Sequence, residues 1–317
     1  MIKKNAEDVA VVLNCYKIKF EEKRKGRHLT IKEAFGTEDF ITLCQEFVKK
    51  FDKTFFRNKK QDRIIYLKEI LKASETTNVF SGIVMKGHNG PETLIDELVK
   101  NEVKTVSRVT KDQFHCLPYF FLLYMNNKNP SSIIFIAQSY RQFGFKEVFE
   151  EVFRSFVKDN SIIENKIEFN TLSIATLFEK HINDGKLYKL RFIKHGLSKN
   201  AEGILMGDKI EDKNNYEMEI SIKSNKGFFG IKPKLKYDDA SFIEQIQLEN
   251  FNFEEVYADI IIGGRKRAIN VSKPKEFAAA YDITNEVTID PSTKLPNFEE
   301  VLKEAEDILN NDLIPFV

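Results

Sequence analysis

The sequence predicts an α+β protein of two mixed domains, residues 1–158 and 159–317, the second β-rich and closed by a C-terminal amphipathic helix. Three observations predict it. Short β-branched runs recur between polar breaks, a few phenylalanine-studded segments have helical spacing, and the texture changes after "KDNSIIENK" near Asp159. A chain of 317 residues can also bury a sizeable core and favours two domains over one.

The elements follow in chain order. Asp8 to Phe20 is β-branched and partly alternating, so it reads as a first strand. The run from Thr37, "TEDFITLCQEFVKKFDKTFF", opens with a Thr cap and spaces Phe40, Leu43, Phe47 and Phe51 as a helix. "DRIIYLKEILKAS" has alternation that suits a strand and composition that suits a helix; strand is the preferred reading. "NVFSGIVMKG" and "KTVSRVT", with the break "HNGPE" between them, read as short strands. Two nearly continuous apolar runs, "CLPYFFLLYM" and Ile133–Ala137, flank a turn at Asn126–Pro130 and predict central strands buried on both faces. A helix follows from Phe145 to Val157, with Phe145, Val148, Phe149, Val152, Phe153 and Phe156 in one stripe.

In the second half, "KIEFNTLSI" predicts a strand and "ATLFEKHINDG" a helix stopped at Gly185. "KLYKLRFIKHG", "NYEMEISIKS", "FFGIKPKLKY" and "EEVYADIII" read as strands, and "NFEEVLKEAEDILNNDLI" as the closing helix. The clearest local signal is "DIIIGGRKRAINVSKPK". Two strand-like arms meet at Gly263-Gly264, and glycine supplies the positive φ of a tight hairpin turn.

The composition, 42% apolar and 31% charged with a formal net charge of +1, is that of a folded soluble protein without whole-molecule attraction to nucleic acid or membrane. Any polyanion site must be a local patch. Cys15, Cys44 and Cys116 have no metal-ligand spacing and read as buried free thiols of a reducing cytoplasm. No signal-length or membrane-spanning apolar run occurs, which predicts a cytoplasmic protein without membrane contact. Phosphate-binding glycine motifs are absent, so no nucleotide-driven or dinucleotide chemistry and no cofactor is expected.

The patch itself has two parts. Lys223, Lys226, Lys232, Lys234 and Lys236 lie in fourteen residues without an acid, interleaved with Phe228 and Phe229. Arg265, Lys266 and Arg267 open the return arm of the hairpin, and Lys273 and Lys275 follow it. Cations on a sheet neutralise phosphates, arginine forks grip them in pairs, and aromatics stack on exposed bases. The competing reading is edge protection, since lysines on outer strands also block sheet-to-sheet association. Strand alternation further places Arg265 and Arg267 on the side of Ile269 and Val271.

Segment Ser131–Val157 carries a strand "IIFIAQ" ending in Gln138, an aromatic at Phe143, then Gly144-Phe145-Lys146 and a helix studded with Phe149, Phe153 and Phe156. It resembles uncharacterised bacterial proteins of phage-defence neighbourhoods, as does Asp184–Ser198 after it. The resemblance covers the middle third of the chain, implies a shared fold and an antiviral setting, and carries no catalytic residue with it. The expected function is therefore nucleic-acid binding in a bacterial defence system, with other defence proteins as partners and the N-terminal domain in assembly or homo-oligomerisation.

Two alternatives are an Mg²⁺-dependent nuclease and a protein-interaction subunit. The nuclease candidates are Glu102-Val103-Lys104 with Asp96, and Glu164-Asn165-Lys166. Asp96 reads as too near in sequence to sit on a neighbouring strand. His115-Cys116 is no dyad, because adjacent strand residues point to opposite faces.

Overall fold

The computed structural model describes residues 10–99, 102–140, 143–172, 186–196, 217–223, 253–262, 265–271 and 280–314. The expected helix over 175–185 and strand over 228–237 lie outside them. The chain divides into two compact units, residues up to 172 together with those from 283, and residues 173–282.

The first unit is an antiparallel sheet. Its strands are β1 (Val11–Glu22), β2 (His28–Leu29), β3 (Phe56–Arg57), β4 (Arg63–Ser74), β5 (Val79–His88), β8 (His115–Met125), β9 (Ser132–Tyr140), β10 (Phe143–Gly144) and β11 (Asn165–Thr171), with β6 (Thr93–Val99) and β7 (Glu102–Val109) as a separate ribbon. The order is β11-β1-β9-β8-β5-β4-β3, with β2 against β1 and β10 against β9. Expected boundaries differ here. Both β11 and the C-terminal helix α4 (Phe298–Ile308) lie beyond Asp159, yet β11 pairs with β1 and α4 packs on β8.

Strands β8 and β9 are the predicted central pair, and every residue of β9 is buried. Helices α2 (Phe40–Val48) and α3 (Lys146–Asn160) cover the sheet through an aromatic cluster. Phe149 is its hub. Its ring stacks on Phe135 at 4.5 Å and meets Phe47, Phe121 and Phe145 edgewise or tilted at 5.3–5.7 Å. Residues alternating with Phe121 and Phe135, such as Phe120, Leu122 and Ile136, are equally buried, so both sheet faces are covered.

Helix α1 (Ile31–Phe35) is not among the expected elements, although Thr30 and Glu33 form a reciprocal capping box. Helix α2 starts later than expected. Asp39, not Thr37, is its cap, because Asp39 directly precedes the first apolar helical residue and reaches the Thr42 N–H at 2.9 Å. The ambiguity of "DRIIYLKEILKAS" has a physical cause. The strand forms, but the β4–β5 register shifts at Leu67/Glu69 and again at Ile70/Lys72, which interrupts its period of two.

The β6–β7 ribbon pairs antiparallel, and Leu94, Ile95, Leu98, Val99, Val103 and Val106 are all exposed. Among the described residues, no helix is long and apolar enough to cross a membrane.

The second unit contains β12 (Lys186–His195), β13 (Glu217–Lys223), β14 (Glu255–Ile262), β15 (Arg265–Asn270) and β16 (Ala280–Asp282). The first four form an antiparallel sheet in the order β13-β12-β14-β15. Ile262 pairs with Arg265, so the predicted hairpin is present, while Gly263 and Gly264 fall outside the described residues.

Candidate functional site

Strand alternation gives the second unit's sheet two different faces. Leu187 and Phe192 on β12 and Val256, Ala258 and Ile260 on β14 are buried, and Phe192 packs on Phe253 with ring centroids 5.1 Å apart. A shift of register between Leu187 and Lys189 keeps this apolar set in phase along both strands. The intervening positions are mostly polar, with the buried Ile193 as the exception. Arg191 sends Nη2 to Asp259 at 3.3 Å, lies 3.9 Å from Glu219 through Nη1, and sits 5.0 Å over the Tyr257 ring. Lys189 donates to the other Glu219 oxygen at 3.1 Å.

Register then places the predicted basic residues. Lys223 ends β13, is exposed, and lies directly opposite Lys189, which in turn lies opposite Asp259 and, one strand on, Ala268. The next rows along β15 are Arg267, Lys266 and Arg265, opposite Ile260, Ile261 and Ile262. The end of β13 and the start of β15 are therefore at one end of the same sheet with two strands between them, about 14 Å across, and Arg265 lies about 10 Å further along than the row of Lys223. Arg267 occupies the row of the fully buried Ile260, so the triplet does not share a single row pattern with Lys223. Lys226, Lys232, Lys234, Lys236, Lys273 and Lys275 lie outside the described residues, and the structure brings none of them to a stated place.

Two cations facing each other, Lys189 and Lys223, repel across the strand pair. Glu219 offsets one of them. Lys223 makes no ion pair with the described residues, and an anion at this end of the sheet would relieve the repulsion.

The nuclease residues are arranged differently. Asp96 does lie on the strand neighbouring Glu102, contrary to expectation, because β6 and β7 pair as far as Val99 and Glu102. Asp96 pairs with Thr105 and accepts its hydroxyl at 2.7 Å, three residues and about 10 Å along from Glu102. Both are exposed, and among the described residues no three His, Cys, Asp or Glu side chains gather to hold a metal ion. Glu164 pairs instead with Lys23 at 2.5 Å, and Lys166 with Glu168. Cys116 is half-buried rather than buried, and burial raises its thiol above the ordinary value; Cys15 and Cys44 are buried as expected.

Sequence reading missed a concave site in the first unit. A cavity of about 480 Å³ lies where β9, β10 and the start of α3 meet β1, β4 and β5. Its polar lining includes Asn14, Tyr16, Arg63, Lys86, Ser139 and Lys146. Asn14 donates to Ser139 Oγ at 2.9 Å, Arg63 pairs with Glu147, and Lys146 with Glu150 at 2.6 Å. Burial, then the neighbouring Arg63 charge, lowers the Lys86 ammonium below the ordinary lysine value. Opposite the lining residue Arg63, His88 stacks on its other cross-strand partner His115 at 5.7 Å; burial first, then the charge of Lys86, lowers it too. The available signal was a Gln ending an apolar strand followed by Gly-Phe-Lys at a helix start, since Gln138, Gly144, Phe145 and Lys146 all line this cavity.

Compared with known proteins, the chain matches no family model and no curated sequence.

Proposed function

We propose that the protein binds nucleic acid, or an equally phosphate-rich complex, through the basic end of its second unit's sheet. The observation that carries this reading is the register across β13-β12-β14-β15, which gathers Lys223, Lys189 and the β15 residues Arg265–Arg267 at one end. The lysine-rich stretch through Lys226, Lys232, Lys234 and Lys236 continues from Lys223, and Lys273 and Lys275 continue from β15. Polyanion binding there would be electrostatic, non-catalytic and strongly salt-dependent. In this reading the two units act as separate domains in the cytoplasm. The first makes assembly or partner contacts, for which the exposed apolar side chains of the β6–β7 ribbon are suited. The antiviral setting rests on the resemblance of Ser131–Val157 to phage-defence proteins.

The test is fluorescence anisotropy of labelled single- and double-stranded DNA and RNA across a salt series, with and without Mg²⁺. Binding should fall log-linearly with salt. Lys223→Glu, or the pair Arg265→Glu with Arg267→Glu, should flatten the slope by roughly one for each phosphate no longer neutralised. Absence of binding at low salt would refute the proposal and leave the cations as edge protection. Mg²⁺-dependent cleavage would instead support the nuclease reading.

A further inference from the structure

The geometry points to a second, independent site: the cavity between β4, β5, β9 and the start of α3 binds a small organic phosphate such as a nucleoside monophosphate. Three cations from three elements line it, Arg63 of β4, Lys86 of β5 and Lys146 of α3, against the lining carboxylate Glu147 and, just outside the lining, the Glu150 that holds Lys146. Lys86 makes no ion pair among the described residues, although it is only partly exposed. A half-buried ammonium without a carboxylate partner is unfavourable in the free protein and is relieved by a bound anion.

The backbone adds to this. Helix α3 is fifteen residues long, and its cap, Phe145, supplies no side-chain hydrogen bond. The first N–H groups of α3 and its dipole are therefore available to an oxyanion beside Lys146. Gln138, 1% exposed, also lines the cavity, and its Oε1 accepts the Phe120 N–H at 2.8 Å. Among the described residues its Nε2 has no partner except the neighbouring Tyr140 hydroxyl, which itself donates to the Pro118 carbonyl at 3.0 Å. Arg63 and Lys146 are held by Glu147 and Glu150, which leaves Lys86 as the cation without a carboxylate partner among the described residues; with the remaining N–H groups of the Arg63 fork it can meet the oxygens of a phosphoryl group. The volume admits more than the phosphate alone. Phe143 lines the same cavity with 59% of its surface exposed, a ring face on which a flat group can stack.

This inference does not rest on the nucleic-acid reading, and its test separates the two. Isothermal titration calorimetry is run with AMP, inorganic phosphate and acetate on the full chain. The variants are Lys86→Met, Arg63→Gln, Lys68→Gln and the pair Arg265→Glu with Arg267→Glu. AMP is expected to bind the natural protein, and Lys86→Met to weaken it about tenfold or more through loss of a charge-assisted hydrogen bond. Lys68→Gln, at an exposed position outside the lining, and the β15 pair should leave AMP affinity unchanged. Lys86→Met keeps the apolar stem and removes a half-buried charge; should its melting curve nonetheless show misfolding, Arg63→Gln on the neighbouring strand carries the same expectation. Three results would overturn the inference: no heat at millimolar AMP and phosphate, affinity insensitive to both cavity variants, or acetate binding as tightly as AMP.

Discussion

Gly82 provides the sharpest test of how the first unit is held together. It lies in β5 opposite Ile70, between the two register shifts of β4. A Cβ added there would stand 2.5 Å from the Glu69 carbonyl oxygen and 3.1 Å from Phe121 Cε1. Ordinary contact begins at 3.4 Å, so the carbonyl would have to move by about 0.9 Å. A methyl group has no rotamer to escape into, and its obstacle is backbone held in a buried ladder. Gly82→Ala should therefore cost about 3 kcal/mol, the upper part of the range for overpacking a buried site. The control is Gly90→Ala, where an added Cβ meets nothing within 4 Å. It should be neutral or stabilise by a few tenths of a kcal/mol through the unfolded chain. Urea denaturation followed by far-ultraviolet circular dichroism measures both, reading the shift in midpoint at constant slope. A Gly82→Ala protein within about 0.5 kcal/mol of the natural one would refute the close-approach argument, because surface-like tolerance is incompatible with such an obstacle.

Phe149→Ala should destabilise by about 4 kcal/mol, since it removes a fully buried ring from the centre of the aromatic cluster; thermal melting reads the loss. Asp39→Ala should cost about 1 kcal/mol by uncapping α2, measured in the same urea assay. Glu33 is held down to about 2, first by the Thr30 N–H and then by Arg27. With the folded value below the unfolded one, its contribution is complete above the ordinary carboxylate range and is lost as pH falls toward 2. Glu33→Gln should therefore flatten the acid limb of a stability-against-pH curve and lower stability at neutral pH, whereas an unchanged limb would contradict the capping box. Replacing residues 91–110 with a short glycine linker should leave the first unit's melting temperature within a few degrees, because nearly all ribbon residues are exposed.

Much of this architecture was legible where burial is one-sided or complete. The continuous apolar runs of β8 and β9, the Phe stripe of α3 and the Gly-Gly hairpin each carry a strong local period or turn signal, and each formed. The β6 strand was not legible, since "TLIDELV" packs against no core that would impose alternation. Nor was the membership of α4, because an amphipathic helix states that it has a buried face but not which sheet receives it. The basic residues were found as a composition, and register alone brought Lys223 and Arg265–Arg267 to one sheet end. The cavity escaped for a related reason. Arg63, Lys86 and Lys146 are far apart in sequence, and each taken singly is an ordinary surface cation.

The strand order also dictates a timetable for the growing chain. β1 ends up between β9 and β11, with Lys19 beside Ser132 and Glu22 beside Asn165. As the ribosome releases β1, neither neighbour has yet been made, and an apolar strand with both edges open is a template for wrong pairing. The short β2 can pair with its Phe20–Glu21 end at once, but the rest of the strand stays open until β9 emerges. The sheet's covering by α4 waits longer still, until the whole of the second unit has been translated between β11 and residue 283. Such distant pairings make closure slow, so the first unit's maturation is set by the emergence of α4 rather than of β1.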